Sequence, residues 1–209
     1  MTRGSTLWTT LEQWSPLTFL VAAGMFTLPL LAFGFEAVAG IAIDVSPAVM
    51  FLFVLVIFVG LLGLYPQLAA HDATLAKGGA VLLAATAAII VLALAASVLS
   101  VGPTFGKSTI AAIVMAVLAG SGLTVTTFGT ASLRSRAHPR PVGGFLLVTG
   151  AGMAVVIIGM LVFGDPTPAW VGAVANGLIA ISLGATGYTL RAEGIPTSLT
   201  EATNDVTAS

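Results

Sequence analysis

Few residues in this chain could do chemistry. The first to test is Val101-Gly102-Pro103-Thr104-Phe105-Gly106-Lys107-Ser108-Thr109, which ends like a phosphate-cradling loop. That loop needs four residues between its glycines so that its backbone N–H groups wrap the phosphates; Gly102 to Gly106 leaves three, and position 101 is valine. The stretch reads instead as a tight turn, with Ser108 or Thr109 capping the next helix, and no nucleotide is expected. Ala119-Gly120-Ser121-Gly122 sets a serine between glycines, but a hydroxyl becomes a nucleophile only with a base in reach. The two histidines, His71 and His138, both fall in hydrophilic connections, too far from Ser121 to serve it and outside any site for a haem held within the membrane. His71, Asp72 and His138 lack the close spacing of metal ligands and are expected to be solvated. No catalytic centre, cofactor or metal is expected.

Polar groups of another kind lie within the apolar segments. Gly172, Asn176, Ala180 and Gly184 recur at every fourth residue, and Ser121, Thr124 and Thr127 at every third. Small residues let helix backbones approach, and a buried amide or hydroxyl seeks a partner across the contact. These residues are the candidates for intramembrane packing or for contact with a solute. Asn176 is the only amide side chain at mid-span, and so the first to test for a polar path.

The elements that must position them follow from composition. Of 209 residues, 57% are hydrophobic and 7% charged, with a mean hydropathy of +1.09. Ordinary soluble domains carry roughly a quarter charged residues. A net charge of −1 supplies no basic field for nucleic acid, and the absence of cysteine removes disulfides and thiolate chemistry. A membrane-crossing helix needs about 20 apolar residues. Six segments qualify: 17–35, 47–65, 78–101, 109–129, 142–163 and 168–190. Ser15-Pro16, Ser46-Pro47 and Thr167-Pro168 each offer a capping oxygen followed by proline at the first helical position. The expected fold is therefore an all-α, polytopic bundle of six transmembrane helices spanning 17–190.

Basic residues concentrate in cytoplasmic loops. With the N-terminus inside, Arg3, Lys77, Arg134, Arg136, Arg140 and Arg191 share the inner face, and only Lys107 lies outside. Both termini are thus expected in the cytoplasm and the chain in the cell membrane. Trp8, Trp14, Tyr65 and Tyr188 fall near inner ends and Trp170 near an outer end, at the headgroup level such rings favour. Leu7, Leu11 and Trp14 have the spacing of a short interfacial helix within a cytoplasmic segment 1–16. Residues 191–209 are polar and expected to be disordered. Ala37-Val38-Ala39 has the form of a signal-peptidase site, but the preceding run exceeds a usual signal core, so the first span is expected to be retained. Inside spans two to six there is no Asp, Glu, Lys, Arg or His, which argues against a proton-coupled carrier. Ala70-His71 leading to Gly78-Gly79, set beside Ala137-His138 leading to Gly143-Gly144, would fit a duplicated hairpin, though so restricted an alphabet produces such likeness by chance.

Gly60-Leu61-Leu62-Gly63-Leu64-Tyr65-Pro66, and the arginine-rich loop entering Val142-Gly143-Gly144-Phe145-Leu146-Leu147, resemble small multispan membrane proteins of halophilic archaea and actinobacteria. The resemblance implies a multispan bundle and carries no chemistry. Two functions remain: a structural or accessory subunit packing as a homo-oligomer or hetero-complex in the lipid bilayer, and a passive transporter or channel for a neutral or weakly polar solute. In the first, Gly172 and Gly184 would face a partner chain; in the second, a polar cavity would reach Asn176.

Overall fold

Six helices long and apolar enough to cross a membrane make up the computed structural model: α1 (Arg3–Ala39), α2 (Pro47–His71), α3 (Ala73–Leu99), α4 (Lys107–Ser135), α5 (Arg140–Phe163) and α6 (Ala169–Glu193). The structure describes residues 3–41, 46–99, 107–135, 137–164 and 167–193, and no strand occurs among them. The remainder of the 101–109 turn before Lys107 and the polar tail after Glu193 lie outside the described residues.

Each helix packs on its neighbours in sequence, and α1 closes the circuit against α6. Because α2 also touches α4, α3 sits outside, against those two helices. The interior is therefore bounded by a ring of five helices: α1, α2, α4, α5 and α6. Helices α2–α3 and α4–α5 do not hold equivalent places, since α5 belongs to the ring and α3 does not; a duplicated hairpin has no counterpart in the packing. Phe19, Phe58, Phe128, Leu61, Leu146 and Leu183 fill the core, and apolar side chains such as Leu31, Leu92, Ile158 and Ile181 point outward, as lipid-facing side chains do.

Glycines set how closely the ring closes. A Cβ on Gly63 would lie 2.5 Å from the Leu11 carbonyl oxygen of α1, and one on Gly187 2.7 Å from that of Pro16. Gly172 faces the Phe33 ring and Gly184 the Ala23 methyl, both on α1. The small-residue stripe of α6 is thus used within the chain, against α1, and is not a free face for a partner. Gly60 and Gly63, from the stretch that carried the family resemblance, do the same for α2: the Ser15 hydroxyl donates to the Gly60 carbonyl at 2.9 Å.

Helix ends depart from the hydropathy limits in a consistent way. Ser15-Pro16 starts nothing: Pro16 lies inside α1, which runs unbroken from Arg3 for 37 residues, so 5–14 forms no separate helix. The apolar contacts that hold this segment run to α2, where Trp8 meets Tyr65 with ring centroids 5.9 Å apart. Pro66 likewise lies inside α2. Asp72 alone joins α2 to α3, and its carboxylate accepts from Leu75 N–H at 3.2 Å as the N-cap of α3. Ser46 does precede α2, but its backbone carbonyl rather than its hydroxyl accepts the first N–H groups. The Thr167 hydroxyl donates backward to Gly164, and α6 opens after Pro168. Ser108 and Thr109 lie inside α4, which begins at Lys107, so neither precedes it as a cap. Gly40 and Gly164 end α1 and α5 with φ of 69° and 76°, the left-handed geometry that glycine adopts without penalty.

Candidate functional sites at the two ends of the ring

The polar side chains within the ring first satisfy their own helices. Ser121, Thr124 and Thr127 each donate to the carbonyl four residues back, at 2.6 to 2.7 Å. Such bonds follow from helix geometry alone, because the side chain hangs over the preceding turn. Among the described residues none of these three hydroxyls bonds to another helix. Ser121 is fully buried, and among the described residues no base is hydrogen-bonded to it. The hydroxyl pair that does cross is Thr149 of α5 with Ser182 of α6, 2.7 Å apart and buried. The sequence reading did not single out either residue; the signal available was one hydroxyl inside each of two neighbouring spans.

Asn176 is different. It is 3% exposed; its Nδ2 donates to the Gly172 carbonyl at 2.8 Å, and its Oδ1 has no partner. Only the amide N–H₂ can donate to that carbonyl, so the orientation of the group is fixed and the orphan is an acceptor. The residue lines a cavity of about 230 Å³ bounded by all five ring helices, including Phe26, Phe51, Val117, Met153 and Val171. This cavity lies towards the end of the ring that carries the start of α2 and the α5–α6 connection. The expectation of a polar cavity at Asn176 is corrected in one respect: a cavity reaches the amide, but its walls are apolar. The wall is mostly aliphatic, aromatic and thioether side chains, with Asn176 and Thr167 as its polar members among the described residues.

The opposite end, where α1 begins and α6 ends, holds a cavity of about 710 Å³ between α1, α2, α6 and the α4–α5 connection. The two cavities share no lining residue and are separated by the packed core. Here the helices run past the apolar windows, so their extra turns carry polar side chains: Glu12 and Gln13 on α1, Gln67 on α2 and Arg191 on α6. His138 closes one side and is only 9% exposed, so the expectation of a solvated loop histidine is overturned. Pro139 follows it with a fixed backbone angle and holds the short link between α4 and α5 against the bundle. Burial drives the His138 imidazole down to about 4 from its ordinary 6.5, and electrostatic repulsion with His71 pushes in the same direction. The ring is neutral at physiological pH. Its Nδ1 is buried without a hydrogen-bond partner. His71 instead directs Nδ1 to the Gln67 carbonyl at 2.9 Å, and Asp72 is engaged in capping α3. Among the described residues no three potential ligands gather around a metal position.

The sequence reading did not single out Glu12, Gln13 or Gln67, and took Arg191 only as a topogenic charge. Charge in segments flanking a span was the signal available, but without knowing that the helices continue, nothing indicated that these groups converge. No family model matches the chain, and no curated protein or solved structure matches it either.

Proposed function

We propose that this chain is a passive carrier for a small neutral solute that is mainly apolar and bears one hydrogen-bond donor. The observation that carries the reading is the buried, unpartnered Oδ1 of Asn176, a residue that lines the apolar cavity. An acceptor removed from water with no partner costs about 1 to 3 kcal/mol, which a donor on the solute would recover. Apolar walls disfavour ions and strongly hydrated polyols. Among the described residues no ionisable side chain lines the cavity, which fits passive rather than proton-driven movement. Passage requires the core between the two cavities to part. In this reading the chain sits in the cell membrane with both termini cytoplasmic, as the six-to-one distribution of basic residues supports.

Swelling of proteoliposomes by stopped-flow light scattering tests the proposal with 1,2-propanediol, acetamide and glycerol as probes. Uptake of the first two should exceed that of protein-free vesicles, and Asn176→Leu should return it to background while the protein remains folded. Identical traces with and without protein for all three solutes would overturn the reading. Orientation has its own test: a cysteine replacing Lys107 should react with an impermeant maleimide added outside intact cells, and protection there would reverse the assignment.

An accessory subunit is the second reading, and one observation favours it. Gly24 and Gly34 of α1 and Gly78 of α3 have nothing within 4 Å of where a Cβ would stand, so a neighbouring helix has room to approach these positions. Gly34→Leu should then release a partner chain that otherwise co-purifies in mild detergent. Unchanged association in both Gly34→Leu and Gly78→Leu would count against it.

A further inference from the structure

The cavity at the α1–α6 end is built from chemistry unlike that around Asn176, and the proposed solute leaves it unexplained. Glu12 of α1 and Arg191 of α6 both line it, and among the described residues neither is held in an ion pair. They stand on antiparallel helices that meet tightly at Pro16 and Gly187, about one turn from each of them. Pro16 has no N–H to give the Glu12 carbonyl, so that backbone acceptor lacks its helical donor at the cavity wall. His138, nine-tenths buried, lines the same cavity, and its Nδ1 is buried without a partner. A volume of about 710 Å³ lies within the range of small-molecule sites, roughly 300 to 1,000 Å³.

The signs of the charges select the ligand. An anion would pair with Arg191 but meet the carboxylate of Glu12, and a cation would meet the reverse. A neutral polyol would satisfy hydrogen bonds and leave both charges unpaired. A molecule carrying an ammonium group and an anionic group satisfies both at once, with charge-assisted bonds at each end. We infer that this cavity binds a zwitterion, its ammonium at Glu12 and its anionic group at Arg191, with Nδ1 of His138 making a neutral hydrogen bond between them. The turns that carry Glu12, Gln13, Gln67 and Arg191 flank the most apolar stretches, 17–35, 47–65 and 168–190, so a headgroup and a soluble metabolite would both be within reach of them. The shared chemistry is a primary ammonium joined by a short linker to a phosphodiester or carboxylate; the source is either an ethanolamine phospholipid or a free zwitterion.

Isothermal titration of the purified full-length protein in detergent with glycerophosphoethanolamine reads the soluble form. Nanodiscs of phosphatidylcholine with and without phosphatidylethanolamine, followed by native mass spectrometry of the retained lipid, read the lipid form. Glycerophosphoethanolamine should bind at least about tenfold more tightly than glycerophosphocholine, whose quaternary nitrogen has no N–H for Glu12, or glycerol phosphate, which lacks the nitrogen. Glu12→Gln and Arg191→Gln should each weaken it by about tenfold or more while elution from size exclusion is unchanged. Retention of the ethanolamine lipid alone, lost in the same two variants, assigns the site to the headgroup; binding of the soluble probe assigns it to a free zwitterion. If neither form binds, or if glycerol phosphate binds as tightly as glycerophosphoethanolamine, the inference is overturned. Because the ligand series is measured on the wild-type chain, this result stands apart from the fate of the variants and of the carrier proposal.

Discussion

The two ends of this bundle use the same helices to opposite effect. Around Asn176 the five ring helices meet within their apolar stretches, and nearly every side chain lining the cavity there is aliphatic, aromatic or thioether. At the end where α1 begins, three of those helices run on past their apolar windows, and the extra turns bring in a carboxylate, a guanidinium, two amides and, from the α4–α5 link, a buried imidazole. What differs is depth along the helix rather than fold. A long helix can serve two solvents, because its backbone hydrogen bonds do not depend on which one surrounds it. The end outside the hydrocarbon is therefore free to gather charges that the middle could not carry.

The comparison breaks most readily where α1 holds the polar end together. Gly63→Val would drive a Cβ into the Leu11 backbone oxygen, 2.5 Å away, and no rotamer relieves an overlap with backbone. We expect destabilisation of more than about 3 kcal/mol, read as a large fall in the unfolding temperature in detergent. Gly24→Val on the outer face of α1, with nothing within 4 Å, should change it by less than about 0.5 kcal/mol. Equal behaviour of the two variants would show that α1 does not press on α2 as described.

The next effect is specific to the polar end and depends on pH. His138 in the folded chain titrates at about 4 against an ordinary 6.5, so the unfolded chain takes up the proton first. Stability contributed by the neutral ring is complete above pH 6.5, falls as the pH drops towards 4 and is flat again below. A shift of this size corresponds to roughly 3 kcal/mol across that window. His138→Gln should flatten the slope between pH 6.5 and 4 without altering the apolar end. An unchanged slope would mean that the ring is not buried uncharged.

Span number and the apolar middle were legible because hydropathy reports the medium that side chains face. Asn176 was legible for the same reason, as an amide in a run with no other. Helix ends were not, since Ser15-Pro16 read as a start and the second span was closed at residue 65, whereas in the fold Pro16 and Pro66 each forfeit one backbone bond and the helix continues, supported by its neighbours. That misreading hid the polar cavity: 5–14 read as a surface helix hid Glu12 and Gln13, and a loop histidine read as solvated hid His138. Nor does sequence spacing say which helix a small face meets. The stripe Gly172 to Gly184 was plain, but its neighbour could be known only from the closure of α1 on α6.

Smaller effects separate the ends by sign. Ser182→Ala removes the Thr149–Ser182 side-chain bond between α5 and α6, and should cost about 0.6 to 2 kcal/mol. Asn176→Leu should do the opposite. Its Oδ1 is buried without a partner, while leucine has similar volume and suits the apolar wall. Removing an unsatisfied acceptor in this way should raise stability by about 1 kcal/mol. The same substitution should abolish solute uptake, so stability and function would move in opposite directions at one residue. A residue retained for packing alone would show the reverse pairing, lower stability with uptake unaffected. Thermal unfolding and proteoliposome swelling, measured on the same preparation of Asn176→Leu, decide between the two: an amide kept for a ligand makes the empty site less stable than its leucine substitute, and adding the solute should narrow that gap only in the wild-type chain.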